Sequence, residues 1–479
     1  MHPAALANSG GVSGRGEAAR ILSAAACLSP ILYPIERCKI TRYTIIGSGA
    51  AGIAAVESIR SFEAGAEIDL LSAEKSGYYS RPGLAYYLTG ELNEKQLFPF
   101  SEQDFNKLGV RPKTAPVDKI LPEQHLVELR DGSYLGYDRL LIATGASAAS
   151  INIPGINLKG VVKLDNLADA QRILGQARRR RKAVVVGGGI TALEIVEGLV
   201  ARGVKTHYFL RGDRYWHNVL DETESRIIEG RLKEHGVEIH YHTELEQILP
   251  RNDHVAGVRT KDGIELRCNM VAIAIGIRPR IKLAQESGLK VERGILVDEY
   301  LQTSAKDVYA AGDVAQVYDP FTGKYVIDSL WGPARQQGST AGRNMAGGRQ
   351  VYTKTVAFNV TRLAGLTTTI IGTVGKGQDE DLIGIARGDS ETWRQLPDAI
   401  IAQQDFDVNR LRLMLGERTI IGAIVIGDQT LSRPLQILVS DKVDISLIRT
   451  RLLEPGAPVA DLIAEFWSSR RTVHEHQLA

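Results

Sequence analysis

The chain is poor in several features that would assign it to a common class. It has only 3 cysteines in 479 residues, Cys27, Cys38 and Cys268. No two of them stand in CxxC or CxxH spacing, so a disulfide framework and a local zinc or iron–sulfur motif are excluded. No run of about 18 apolar residues occurs, so no transmembrane helix is predicted. Neither sign of charge dominates: 58 Lys and Arg face 56 Asp and Glu, for a net charge of +2. That balance supplies no electrostatic reason to expect nucleic acid or an anionic membrane as a partner. The 44% of hydrophobic residues is enough to build a core and excludes wholesale disorder. The length suits about three domains.

Residues 1–39 stand apart. Residues 1–18 are small and polar, and Ile21 to Pro34 is mildly apolar behind Arg15 and Arg20. Ala24-Ala25-Ala26-Cys27 resembles a secretory cleavage site only superficially, and the apolar stretch is not clean. We read this segment as a disordered extension, leave it out of the fold, and expect a cytoplasmic protein.

The one excess is glycine, at 48 residues, and its placement is informative. The β-branched run Arg42 to Ile46 reads as a buried strand and enters Gly47-Ser48-Gly49-Ala50-Ala51-Gly52, after which Ile53 to Ser58 reads as a helix. The first glycine permits a tight turn, the second lets backbone approach a pyrophosphate, and the third lets helix and strand pack closely. The phosphates then sit at the positive helix N-terminus. A second strand, Ile68 to Ser72, ends near Glu74, about 20 residues beyond the turn, where an acid can hold ribose hydroxyls. The pattern recurs about one domain later. Ala183 to Val186 enters Gly187-Gly188-Gly189-Ile190-Thr191-Ala192, then a helix from Leu193 to Ala201. The following strand, Lys205 to Phe209, ends at Leu210-Arg211. Leu210 occupies the place of an acid for the NAD 2′-hydroxyl. Arg211 suits either a 2′-phosphate or a solvated loop, so the choice between NADH and NADPH stays open.

Two such turns in one chain suggest two dinucleotides. Three more motifs fall in order with them: Tyr137 to Gly145, containing Ala143-Thr144-Gly145, between the two turns; Ala272 to Pro279, containing Gly276, after the second; and then Val308 to Asp313, containing Gly312-Asp313. With them, residues 41–350 resemble the FAD-dependent pyridine nucleotide oxidoreductases, the flavoproteins with two dinucleotide-binding domains. The resemblance implies an α/β chain with two Rossmann-like domains in a glutathione-reductase-like arrangement, plus a C-terminal α+β domain. It divides the chain into an FAD-binding domain at 40–150 and 281–350, an NAD(P)-binding domain at 151–280, and a C-terminal domain at 351–479 that covers the flavin and supports a homodimer. It also implies that Asp313 binds the ribityl chain of FAD and that Glu194, one turn into the second helix, contacts the nicotinamide carboxamide.

The branch follows from what is missing. The first helix carries no Cys pair, and Arg81-Pro82 stands where a single-cysteine branch would have its thiol. The segment Tyr78 to Leu88 resembles instead that of rubredoxin and ferredoxin reductases and of the FAD–NADH module of nitrite reductases. It departs from some ferredoxin reductases in reading Leu84-Ala85-Tyr86 where they have Leu-Ser-Lys, and the cysteine cluster of nitrite reductases is absent. The implied function is hydride transfer from NAD(P)H to FAD and electron transfer to a rubredoxin- or ferredoxin-like carrier, with no redox cysteine. An oxygen-using NAD(P)H oxidase and an apoptosis-inducing-factor-like sensing module are the alternatives. Trp331 to Gly338 reads as a helix start, with Trp331 and Ala334 against the flavin. Arg178 to Lys182 is expected to end a helix. Beyond Tyr352, strands are expected around 356–360, 367–371 and 418–427, and helices at 435–443 and 459–467; residues 450–479 suggest no role.

Overall fold

A β-branched pentapeptide buried on both faces can satisfy its backbone only by pairing on both sides, as parallel sheets demand. Arg42–Ile46 does this in the computed structural model, which describes residues 40–320, 322–374 and 409–477, without the side chains of 471–477. It pairs in parallel with Glu67–Ser72 on one side and Arg139–Ile142 on the other. The sheet continues to Val308–Ala310 beyond Arg139–Ile142 and to Lys113–Thr114 beyond Glu67–Ser72. A second five-stranded sheet runs Glu238–His240, Lys205–Phe209, Lys182–Val186, Met270–Ile273, Val161–Val162, again all parallel. One face of it packs on helix Ile190–Ala201. The other packs on an antiparallel meander of Leu245–Arg251, His254–Thr260 and Glu265–Arg267. The two sheet regions are stitched together where Ala146–Ala148 pairs antiparallel with Ile277–Pro279.

In each sheet the glycine turn leaves the carboxyl end of a central strand, where open α/β sheets bind ligands. Gly47 has φ +118°, and a Cβ there would overlap the Ala143 carbonyl; a Cβ on Gly52 would overlap the carbonyl of Gly47. The helices begin three residues earlier than the apolar pattern suggests, at Ala50 and Ile190, because the glycine turns themselves supply the first helical turn.

Helix Ala50–Phe62 lies against helix Trp331–Met345. Gly338 and Gly342 make this possible, since a Cβ on either would overlap the carbonyl of Ala51 or Ala55. The C-terminal sheet is antiparallel: Phe358–Leu363, Leu366–Gly372, Ile420–Ile426, Arg410–Leu415. Leu363, Leu366, Ile370, Ile424 and Ile426 join the core of the second parallel sheet. The opposite face covers Leu435, Leu438, Leu452, Ile463 and Phe466 from three helices, Ser432–Ser440, Ser446–Leu452 and Val459–Gln477. Leu452, Leu462, Ile463 and Phe466 are therefore core-forming, where the sequence suggested no role. Arg410 and Arg412 add ion pairs at 2.8 Å to Asp221 and Glu224, at the start of helix Glu222–Glu234.

One expectation is corrected. Helix Leu167–Gln176 stops before the basic run, and Arg178–Arg181 forms the turn into Lys182–Val186. Arg180 takes φ +69° there, a conformation incompatible with continuing the helix. Residues 1–39, with Cys27 and Cys38, lie outside the described residues. Among the described residues, no helix is long and apolar enough to cross a membrane.

The helix contact generates a test. Gly338→Ala should destabilise the fold by about 3 kcal/mol, as overpacking does. Gly175→Ala, in a helix with open space around its Cβ, should gain up to about 1 kcal/mol. Denaturant titration of both variants, with flavin content measured alongside, checks the contrast.

Candidate active site

The two helix starts set the site. The N-terminal turns of Ala50–Phe62 and Trp331–Met345 both line a cavity of about 930 Å³ at the carboxyl ends of the first sheet. Unpaired N–H groups and the helix dipoles make such a place favourable for anions. Strand ends are locked around it: Gly47 N–H donates to Leu71 O at 2.8 Å, Ala143 N–H to Ile46 O at 2.8 Å, and Ala311 N–H to Ile142 O at 3.1 Å.

Most of the sequence-derived flavin residues line this cavity: Gly47, Ser48, Gly49, Ala50, Ala51, Glu74, Arg81, Ala143, Thr144, Gly145, Gly312, Asp313, Trp331 and Ala334. Gly49 is informative. Its φ is −81°, and a Cβ there meets nothing within 4 Å. Its backbone does not require glycine; only an occupant of the cavity would. Gly52 stands behind the turn, packed on Gly47. Gly312 holds φ +79° and donates its N–H to Gln337 Oε1 at 2.8 Å, fixing the Asp313 turn to helix Trp331–Met345. Trp331 is half-buried and lines the cavity, with the Arg335 guanidinium 5.4 Å over its ring.

Glu74 is held from two sides, by an ion pair with Arg81 and by the Tyr79 hydroxyl at 2.9 Å. Tyr79 in turn accepts from the Leu167 N–H at 3.0 Å. Arg81 donates to the Asp165 carbonyl at 2.5 Å, and the Asp165 carboxylate pairs with Arg280 at 2.8 Å. Asp165 and Arg280 also line the cavity. The motif reading missed both: Arg280 directly follows the Arg278-Pro279 motif, while Asp165 carries no local signal. Together they couple the Arg81 segment to the second nucleotide region.

The residues read for the second nucleotide stand elsewhere. Gly187, Gly189, Ile190 and Glu194 belong to the second sheet's turn and helix, and Gly276 follows Met270–Ile273. Gly187 has φ +145°, and a Cβ there would overlap the Ala274 carbonyl. Arg211 is exposed, follows buried Leu210, and lies within electrostatic reach of Glu244. Glu194 is 6% exposed. Helix Ile190–Ala201 approaches helix Leu84–Thr89 so closely that a Cβ on Gly198 would reach 2.6 Å from Leu88 Cβ.

That approach assembles a group invisible in the motifs. Tyr86, Glu91, Glu194 and Glu197 gather around Arg362, which comes from the C-terminal sheet. Arg362 pairs with Glu91 and lies 5.3 Å over the Tyr86 ring. Burial raises the Glu197 carboxyl to about 7; Arg362 opposes the shift, and Glu194 and Glu91 add to it. Among the described residues, the C-terminal segment reaches the active region here and not at the lining of the large cavity.

Cys268, the one cysteine among the described residues, is buried at 3% exposure in the core under the meander. Burial pushes its thiol up to about 12, and it does not line the cavity.

Residues 41–338 match the family described as pyridine nucleotide-disulphide oxidoreductase. The chain belongs to this family. It is 30% identical over 365 residues to the NADH-dependent phenylglyoxylate dehydrogenase subunit epsilon of Aromatoleum evansii, covering 74% of this chain and 84% of that one. It is 30% identical over 286 residues to the rubredoxin-NAD(+) reductase of Ectopseudomonas oleovorans, covering 59% and 74%. Among solved structures it shares the fold of the covalent putidaredoxin reductase–putidaredoxin complex, with a TM-score of 0.74 at 20% identity over 89% of this chain and 98% of that one. Among the described residues, no cysteine lines the cavity.

Two outcomes are expected. Gly49→Val should fold with an unchanged thermal midpoint when apo-proteins are compared, yet purify without flavin; a fully yellow variant would place the cofactor elsewhere. Glu197 has a folded pKa above its ordinary 4.5. Its favourable contribution is complete below that value and is lost as pH rises through about 7. Glu197→Gln should therefore match the parent's thermal midpoint at low pH and exceed it above neutrality, as a melting series across pH will show.

Proposed function

We propose that this protein binds FAD and NAD(P)H and passes electrons from the coenzyme, through the flavin, to a small redox protein of the rubredoxin or ferredoxin type. The observation that carries this reading is the large cavity shared by two helix N-termini, a glycine open to it, and the carboxylates of Glu74 and Asp313. The donor set fits the group: backbone N–H at the Gly47–Gly52 turn for a pyrophosphate, Glu74 for ribose hydroxyls, and Asp313 for a polyol chain. FAD, when bound, supplies hydride acceptance and the step from two-electron to one-electron chemistry.

The chain's own residues bind and orient. The N-terminus of Trp331–Met345 would stabilise negative charge on a bound flavin. Glu194, on the helix that follows the second nucleotide turn, would accept a hydrogen bond from the nicotinamide carboxamide. Arg81 keeps Glu74 in place and joins the two nucleotide regions through Asp165. Arg211 is the residue on which a preference for NADPH would rest. The relative whose name specifies rubredoxin supports a carrier as acceptor.

Stopped-flow mixing tests this. NAD(P)H should bleach the flavin rapidly, air should reoxidise it slowly, and an added rubredoxin or ferredoxin should reoxidise it fast. Steady-state turnover with oxygen alone at the carrier-supported rate would make the protein an oxidase. Reductive titration should take about two electrons per flavin, and Cys268→Ser should leave it unchanged. Uptake of about four would return a thiol to the mechanism.

A further inference from the structure

A second chemical grouping lies outside the cavity, on the edge of the second parallel sheet. Strands Lys205–Phe209 and Glu238–His240 pair in register, His207 opposite Glu238 and Phe209 opposite His240. Side chains alternate across a sheet. Glu238 and His240, two apart on the edge strand, therefore share a face with His207 on its neighbour. The donor atoms converge. His207 Nδ1 lies 3.1 Å from His240 Nε2 and 3.1 Å from Glu238 Oε2, and all three ligand atoms fall within 4.8 Å of one another.

An ordinary hydrogen-bond network explains this poorly. His207 Nδ1 faces two acceptor-capable atoms and can donate one proton to only one of them. The other ring nitrogen, Nε2, is buried with no hydrogen-bond partner among the described residues. His207 thus acts only through the atom that points at His240 and Glu238. Zinc binds imidazole nitrogen at about 2.0–2.1 Å and carboxylate oxygen at similar distance, which at the tetrahedral angle separates neighbouring donors by about 3.3 Å. The two 3.1 Å separations meet that requirement with little movement.

The surroundings hold the donors in place. Lys205 binds the other carboxylate oxygen of Glu238 at 2.6 Å and leaves Oε2 to the histidines. Phe209 packs edge-on against the His240 ring at 5.1 Å. His207 is 4% exposed, while His240 is half-buried and Glu238 exposed, so the group opens to solvent on one side. We propose that His207, Glu238 and His240 form a binding site for one divalent first-row metal ion, zinc being the best match to two imidazoles, one carboxylate and an open fourth position. Such an ion would clamp the edge strand to its neighbour. It would also stiffen the strand end that carries Leu210 and Arg211, because the Leu210 N–H donates to the His240 carbonyl at 2.8 Å. The site is independent of the flavin and of the proposed electron acceptor.

The test uses the full chain, stripped of metal with a chelator and titrated with Zn²⁺ in competition with a chromophoric chelator. One ion per chain is expected, with a rise in thermal midpoint on addition of Zn²⁺. His240→Gln and Glu238→Gln, both at solvent-reached positions, should each weaken binding by at least the roughly 100-fold lost when a metal site loses a supporting hydrogen bond. Both should retain normal flavin content, which reports folding. His207→Ala should abolish binding. Zn²⁺ uptake and thermal shift that persist unchanged in His240→Gln would overturn the proposal, as would a parent chain that binds no ion under these conditions.

Discussion

Two helices that begin at one cavity must lie almost backbone to backbone, and the contact between Ala50–Phe62 and Trp331–Met345 is where this is achieved. Gly338 and Gly342 remove the Cβ atoms that would meet the carbonyls of Ala51 and Ala55. The first helix is tied to the sheet by Gly52 against Gly47, and the second is tied to the Asp313 turn through Gln337. The positive ends of both dipoles are consequently held at the mouth of the same cavity, with no side chain to adjust. The strand ends, the acid after the second strand and the flavin-side motifs take their positions from this frame.

The second nucleotide region repeats the local solution in a different setting. Gly187 again closes the turn against a neighbouring strand, but here the helix packs on Leu84–Thr89 and on the C-terminal sheet. Glu91, Glu197 and Tyr86 then share Arg362, contributed from far along the chain, with Glu194 beside them. The positive charge reaches Tyr86 and its carboxylate neighbours from the C-terminal sheet. The consequence is a titratable carboxyl, Glu197, poised near neutrality beside the residue proposed to hold the nicotinamide.

The one described cysteine, Cys268, stands away from this arrangement. A thiol takes part in electron relay only as a thiolate in contact with the flavin. Cys268 is enclosed by Val255, Val258 and Val271 in an apolar layer, on the side of the second sheet away from helix Ile190–Ala201. Among the described residues, the cavity is lined instead by the paired Arg81 and Glu74.

The sequence by itself determined both glycine turns, the strands that feed them, and the order of the motifs, because each of these depends on residues adjacent in the chain. Gly47 holds a positive φ, and Gly49 stands in open space at the helix start. The helices start three residues early because the last three residues of each turn are already helical, and the basic run after Gln176 is a turn in which Arg180 leaves the helical region. Only the tertiary structure decided which distant residues meet. Asp165 with Arg81, Arg362 with Glu91, and His207 with Glu238 and His240 are brought together by sheet register and domain packing. Strand pairing is set by burial of whole faces, not by the residues that happen to meet across it, so no local pattern announces those contacts.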